Sequence, residues 1–152
     1  MKKEELLAVL RLQATPNIGD IIAKKLIAHT GCVEQIFKEK ASTLQRINGI
    51  GTHITNALFN KKNIQLAEQE YEYIIKNNIK YSYFLEDDYP QNLKHCIDAP
   101  ILIFIDGNIN LNSDKIISIV GTRNITSYGR DFCNQLIENL KEYNPIIVSG
   151  FA

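Results

Sequence analysis

A predicted strand that runs into a glycine turn carrying one arginine constrains this chain more than any other segment. The strand covers Ile116–Val120, the turn is Gly121-Thr122-Arg123, and an amphipathic helix is predicted from about Tyr128 to Glu142. At the start of such a helix, free backbone N–H groups and the positive end of the helix dipole favour an anion. The segment therefore predicts a phosphate pocket in an α/β unit.

A second predicted strand, residues 146–148, ends in the small residues Ser149 and Gly150. Two near-continuous apolar strands joined by a helix are typical of a parallel sheet that is buried on both faces. Ligands of open α/β sheets collect at the carboxyl ends of the strands. We therefore expect Ser149 and Gly150 to lie beside the turn at 121–123.

The turn admits three interpretations. A dinucleotide fingerprint is excluded because G-x-G-x-x-G is absent and Gly129 lies too far along the chain. An ordinary α/β turn needs the glycine but no arginine. A phosphate pocket fits best, since Gly121 allows close backbone approach, Thr122 offers a hydroxyl, and Arg123 supplies a bidentate, permanently charged fork.

The amino-acid composition limits the kinds of partner that the chain can bind. The 152 residues carry 17 basic and 17 acidic side chains, so the chain has no broad electrostatic footprint for nucleic acid. Phosphate binding must then be local and assisted by the backbone. No apolar run approaches the roughly 20 residues that span a bilayer, so we expect no membrane contact.

Neither catalysis nor a metal or cofactor is predicted. Ser149 lacks the G-x-S-x-G elbow of hydrolases. The three cysteines are scattered without C-x-x-C spacing, as is typical of reduced thiols in a cytoplasmic protein. The acidic run at 86–88 is predicted to be a solvated turn.

The chain changes character near residue 76. Residues 1–76 show helical periodicity, with Gly31 as a predicted C-cap and Ser42 as the predicted cap of a further turn. Short apolar strands are predicted over residues 80–85 and 101–105. We predict an α+β protein in which an all-α domain, residues 1–76, precedes the beginning of a parallel α/β sheet, residues 77–152.

Two segments of the helical half share the pattern of a helix-hairpin-helix motif. The first contains Asn17-Ile18-Gly19 and the second contains Gly49-Ile50-Gly51. Gly49 or Asn17 can adopt positive φ in the tight turn, and the isoleucines are expected to fill the space between the helices.

In each motif the second helix could hold a DNA phosphate through its first N–H groups, making Asn17, Gly19, Gly49 and Gly51 candidate contacts. Compact helical packing or protein docking explains the same pattern, and both interpretations stay open.

Taken together, these segments resemble the DNA-processing protein A family, also called DprA or Smf. The resemblance is carried by the order and spacing of short motifs through most of the chain. They are Pro16-Asn17-Ile18-Gly19, Ile47–Gly51, Asp88-Tyr89-Pro90-x-x-Leu93, Asp98-Ala99-Pro100-x-Leu102, Gly107, Ile119–Arg123, Thr126-x-Tyr128-Gly129 and Val148-Ser149-Gly150-x-Ala152.

The resemblance implies a SAM-like helical domain followed by an extended Rossmann-like domain that binds single-stranded DNA. It implies that the protein protects incoming DNA in natural transformation, loads the RecA recombinase, helps displace single-stranded-DNA-binding protein, and is a homodimer at full length rather than an enzyme. In these terms Gly121, Thr122, Arg123, Tyr128, Gly129, Ser149 and Gly150 are the nucleic-acid-binding residues. We expect the chain to stop within the Rossmann-like domain.

Two alternatives remain at this stage. A Rossmann-like hydrolase that cleaves nucleoside monophosphates would share the strand, turn and helix, but needs a glycine-rich loop and a catalytic carboxylate further on. Residues 1–75 could instead be a protein-docking module.

Overall fold

The computed structural model describes residues 1–108 and 110–150, which fall into two compact units divided between residues 108 and 109. The first unit is mainly helical. Its elements are α1 (Lys3–Gln13), α2 (Asp20–Thr30), α3 (Val33–Ile36), α4 (Ala41–Leu44), α5 (Thr52–Leu58), α6 (Lys62–Lys76), β1 (Lys80–Tyr83), α7 (Gln91–Lys94) and β2 (Leu102–Ile105). The chain is thus α+β, as predicted.

One hydrophobic core holds the first unit together. Helix α1 buries a stripe that includes Leu6, Val9 and Leu12, and packs against α3 and α6. Two residues of the β strands, Tyr83 and Leu102, belong to the same buried cluster. Because the strands complete the helical core, the compact unit extends past residue 76.

Strands β1 and β2 are antiparallel, with Lys80 opposite Ile105 and Tyr83 opposite Leu102. Within the segment between them, the Tyr89 hydroxyl donates to the Pro100 carbonyl at 2.6 Å. The division of the chain into domains at residues 76 and 77 stays a prediction, distinct from this grouping of contacts.

The second unit contains β3 (Ile116–Ser118), α8 (Ser127–Leu140), a 3-10 turn (Lys141–Tyr143) and β4 (Ile146–Val148). The predicted parallel pairing of β3 with β4 is confirmed. The prediction that these strands are buried on both faces is wrong for the described residues, since both are half-buried or exposed. Residues 110–150 contain a single helix of more than one turn, too little to cover both faces of a sheet.

The two hairpin turns of the first unit have matching backbones. Asn17 and Gly49 have φ of 63° and 88°, which confirms the positive φ predicted for these positions. Each turn is closed by a backbone hydrogen bond that spans three residues, from Ile18 N to Thr15 O at 3.3 Å and from Ile50 N to Ile47 O at 2.9 Å. Whether these hairpins act as helix-hairpin-helix motifs stays a prediction.

Two cap predictions have opposite outcomes. Gly31 is the C-cap of α2, as predicted, and its φ of 86° is one that L side chains rarely adopt. Ser42 is not a cap, because Lys40 holds the extended backbone position before α4 and Ser42 lies inside the helix.

Replacing Gly49 with alanine should lower the free energy of unfolding by about 1–2 kcal/mol, because its left-handed φ is unfavourable for a residue with a Cβ. Gly51→Ala is the matched control: Gly51 has φ −91° and no heavy atom lies within 4 Å of an added Cβ, so only the smaller loss of a weaker N-cap for α5 is expected. Urea unfolding followed by circular dichroism at 222 nm compares the two. Equal losses for both variants would contradict the assigned turn conformation.

Candidate nucleic-acid interface

The parallel pairing of β3 and β4 brings two loop starts to one edge of the second unit. Ser118 lies opposite Val148, and Ile119 N donates to Val148 O at 2.9 Å beyond the last pair. In a parallel pair the carboxyl ends of both strands share an edge. The turn at 121–123 and the residues Ser149 and Gly150 therefore leave the sheet side by side, as the sequence predicts.

The second feature of this interface is the Arg123 side chain in the glycine turn at 121–123. Arg123 is exposed, and within the described ranges no residue forms an ion pair or hydrogen bond with it. The Thr122 hydroxyl donates to the carbonyl of Asn124 at 2.9 Å, so it stabilises the turn. Around Gly121 an added Cβ would meet no heavy atom within 4 Å, which leaves the backbone accessible.

Helix α8 begins directly after this turn and is capped by Thr126. The Thr126 hydroxyl accepts a hydrogen bond from Gly129 N at 3.1 Å. Sequence reasoning left Thr126 out of the candidate site residues. The signal that could have identified its role is a threonine immediately before an amphipathic helix, the preferred residue type at an N-cap.

Tyr128 and Gly129 lie in the first turn of α8 and have different surroundings. Tyr128 is 79% exposed, so its ring is available to a ligand. At Gly129 an added Cβ would lie 3.2 Å from Ile125 Cγ1 and 3.4 Å from Thr126 Oγ1. Close packing against the cap is therefore a sufficient reason for this glycine, and direct contact with a ligand is not needed to explain it.

The other strand end is open. Ser149 and Gly150 are exposed, and no heavy atom lies within 4 Å of a Cβ added at Gly150. Ala152 of the matching pattern lies outside the described residues. Residues 110–150 carry four basic and four acidic side chains, so any anion site here depends on Arg123 and the backbone rather than on a basic surface.

The hairpin candidates lie in the first unit. Gly19 and Gly51 precede α2 and α5 with extended backbones, and a Cβ at either would meet no heavy atom within 4 Å. Their backbones can therefore be approached closely.

Two side chains of α2 bind to backbone groups close to these hairpins. In the first, Asp20 Oδ1 accepts from Ile101 N at 2.8 Å, so the start of α2 already has an intramolecular partner. In the second, Lys25 Nζ donates to the Asn48 carbonyl at 2.8 Å. Both contacts hold separate parts of the chain together.

Comparisons with known proteins agree on one family. Residues 80–152 match the family model described as DNA recombination-mediator protein A. The segment that aligns with "DNA processing protein DprA" of Bacillus subtilis is 42% identical over 65 residues, 42% of this chain and 22% of the relative. For the protein of the same name from Streptococcus pneumoniae, identity is 37% over 68 residues, 45% of this chain and 24% of the relative.

A more distant match includes the helical half. "Protein Smf" of Synechocystis is 22% identical over 143 residues, which cover 90% of this chain. The aligned segments span between 22% and 35% of these three relatives' lengths. No helix within the described ranges combines the length and apolarity needed to cross a bilayer.

Thr126→Ala should loosen the start of α8 by about 1 kcal/mol, because Gly129 N loses its acceptor. Amide hydrogen exchange at Gly129, followed by nuclear magnetic resonance, should then be about fivefold faster. The control is Thr122→Ala, which removes a similar hydroxyl that bonds outside the helix. Unchanged exchange at Gly129 in Thr126→Ala would show that the cap contributes nothing.

Proposed function

We propose that this chain, which matches the DNA recombination-mediator protein A family through residues 80–152, binds single-stranded DNA without reading its sequence. The observation that carries the proposal is the convergence of two exposed loop starts at the carboxyl edge of β3 and β4. Arg123 projects from one of them without a partner in the described part of the chain. The family match includes this edge, since both loop starts lie within residues 80–152.

The first proposed contact is made with two oxygens of one phosphate of the DNA backbone. Arg123 donates two parallel N–H bonds to these oxygens, and the accessible protein backbone around Gly121 allows the DNA to approach closely. The N-terminal end of α8 adds a favourable partial charge. A charge-assisted contact of this kind contributes about 1–3 kcal/mol.

Tyr128 supplies the second kind of contact. Its exposed ring stands in the first turn of α8, close in sequence to the arginine turn, and can stack on an unpaired base. Base stacking on an aromatic ring tolerates every base, and by alanine substitution is worth about 1–3 kcal/mol. Phosphate and stacking contacts together explain binding that does not depend on sequence.

For the whole protein we extend the proposal to DNA uptake in natural transformation. There the full-length protein, a cytoplasmic homodimer, protects single-stranded DNA, loads RecA and displaces single-stranded-DNA-binding protein, acting by binding rather than by catalysis. In this proposal residues 77–152 are the first part of a Rossmann-like domain, and residues 1–76 are a SAM-like domain. The known relatives named above are several times longer than the segments they share with this chain.

The first hairpin serves packing in this proposal. Asp20, at the start of α2, accepts from Ile101 N and ties the helical core to the chain before β2. Its carboxylate would also repel a phosphate at that helix start. Asn17 and Gly19 are then structural. Gly49 and Gly51 stay candidate contacts at an exposed turn, where the nearest side chain is that of Lys25.

Arg123→Ala should weaken binding of a fluorescein-labelled 20-nucleotide oligo-dT about tenfold, because a charge-assisted phosphate contact is lost. Fluorescence anisotropy at several salt concentrations measures the binding constant K. The negative slope of log K against log salt concentration should become less steep by about 0.7. Arg123→Lys keeps the charge but loses the fork, so it should lie between wild type and alanine.

The matched control is Lys115→Ala. Lys115 precedes β3, at the opposite end of the strand, and donates to the Tyr143 carbonyl at 3.3 Å. Its loss changes net charge as much as the arginine variant does, and should change DNA affinity by less than about twofold at 0.1 M salt. If both variants bound equally well, the phosphate site would not be at Arg123.

A further inference from the structure

A groove on the first unit has no role in the proposed DNA binding. It lies between α1, the end of α3 and α6, and its volume is about 430 Å³. That is within the size range of pockets that hold ligands or anchoring side chains.

The groove exists because small residues occupy its floor. Ala8 of α1 and Ala67 of α6 are both buried, and neither fills the space between the helices. Leu7 is half-buried on one wall, and Ile64 is 37% exposed on the other. The surface is therefore apolar, and it is open to a partner.

The Arg11 side chain lies at one side of the groove, and its hydrogen-bonding groups are only partly satisfied. Its guanidinium lies 4.0 Å from the centre of the Phe37 ring, and Nη2 donates to the Leu58 carbonyl at 3.2 Å. Burial lowers the pKa of Arg11. Its Nε is buried and has no acceptor among the described residues, so this N–H is left unsatisfied in the free chain.

The rim of the groove is acidic. Glu4, Glu34 and Glu68 line it, against one exposed cation, Lys38. Within the described part of the chain none of these three carboxylates forms an ion pair. Arg11 is a second, half-buried cation of the groove, so the carboxylates outnumber the cations by three to two. An incoming group therefore meets an apolar floor and an excess of negative charge.

We propose that this groove binds an amphipathic helix of another protein, which inserts bulky apolar side chains between α1 and α6 and sets lysines or arginines against the rim. Three helices form the walls, which suits the docking of a further helix by its apolar face. The rim carboxylates select a basic partner and repel nucleic acid. A hydrophobic centre with a charged border is the usual composition of a protein interface.

The probe is a fluorescein-labelled 14-residue peptide with leucines on one helical face and lysines on the other. Matched peptides carry glutamine or glutamate in place of lysine. With the full chain, the lysine peptide should bind saturably at one site in 0.15 M salt, and measurably tighter than the glutamine peptide. The glutamate peptide should not bind.

Two variants locate the site. Ile64→Lys places a positive charge beside the apolar floor, where it repels the lysines of the peptide, and should weaken peptide binding at least tenfold. Glu34→Gln combined with Glu68→Gln should weaken it about fivefold. Glu72→Gln is the control, because Glu72 is an exposed carboxylate of α6 that does not line the groove. Circular dichroism melting confirms that each variant is folded.

Several results would overturn the proposal. They are no saturable binding, equal binding of all three peptides, or losses of equal size in Glu72→Gln and the double variant. A further contrary result is self-association of the chain in sedimentation that Ile64→Lys abolishes, since a second copy would then fill the groove. Binding that Ile64→Lys and the double variant weaken, with Glu72→Gln unchanged, supports it.

Discussion

The backbone pairing of β3 with β4 is the constraint on which the candidate interface depends. Three residue pairs align the strands, and hydrogen bonds from Ile146 N to Lys115 O and from Ile119 N to Val148 O extend the ladder beyond both ends. Each such bond contributes only about 1 kcal/mol to stability. The parallel direction nevertheless decides where the candidate residues lie, because it brings both loop starts to one edge.

The first unit depends on a different kind of contact. Its helices share one apolar core with β1 and β2, and single polar bonds fasten the intervening chain to that core. Asp20 holds the backbone before β2, and Lys25 holds the second hairpin turn. Side chains at both hairpins are thus committed to holding the unit together. The open groove beside Arg11 belongs to a face that this packing leaves uncovered.

Local signals predicted most elements, and the misses have two causes, one local and one long-range. The positive φ of Asn17 and Gly49 follows from residue chemistry, since glycine and asparagine tolerate a left-handed turn. Ser42 was predicted as a cap on residue type alone, and the backbone placed the cap at Lys40. The partnership of β1 with the helical core joins residues far apart in sequence, which periodicity does not report.

The sequence by itself determined the chemistry available to this protein: one arginine after a glycine turn, two small-residue strand ends, and no excess of basic charge. It also determined the helical periodicity of the first 76 residues. The tertiary structure decided which side chains are free: Arg123 without a described partner, Thr122 held by its own turn, and Gly129 packed against Ile125. These contacts depend on distances between atoms that the chain reaches only when it has folded.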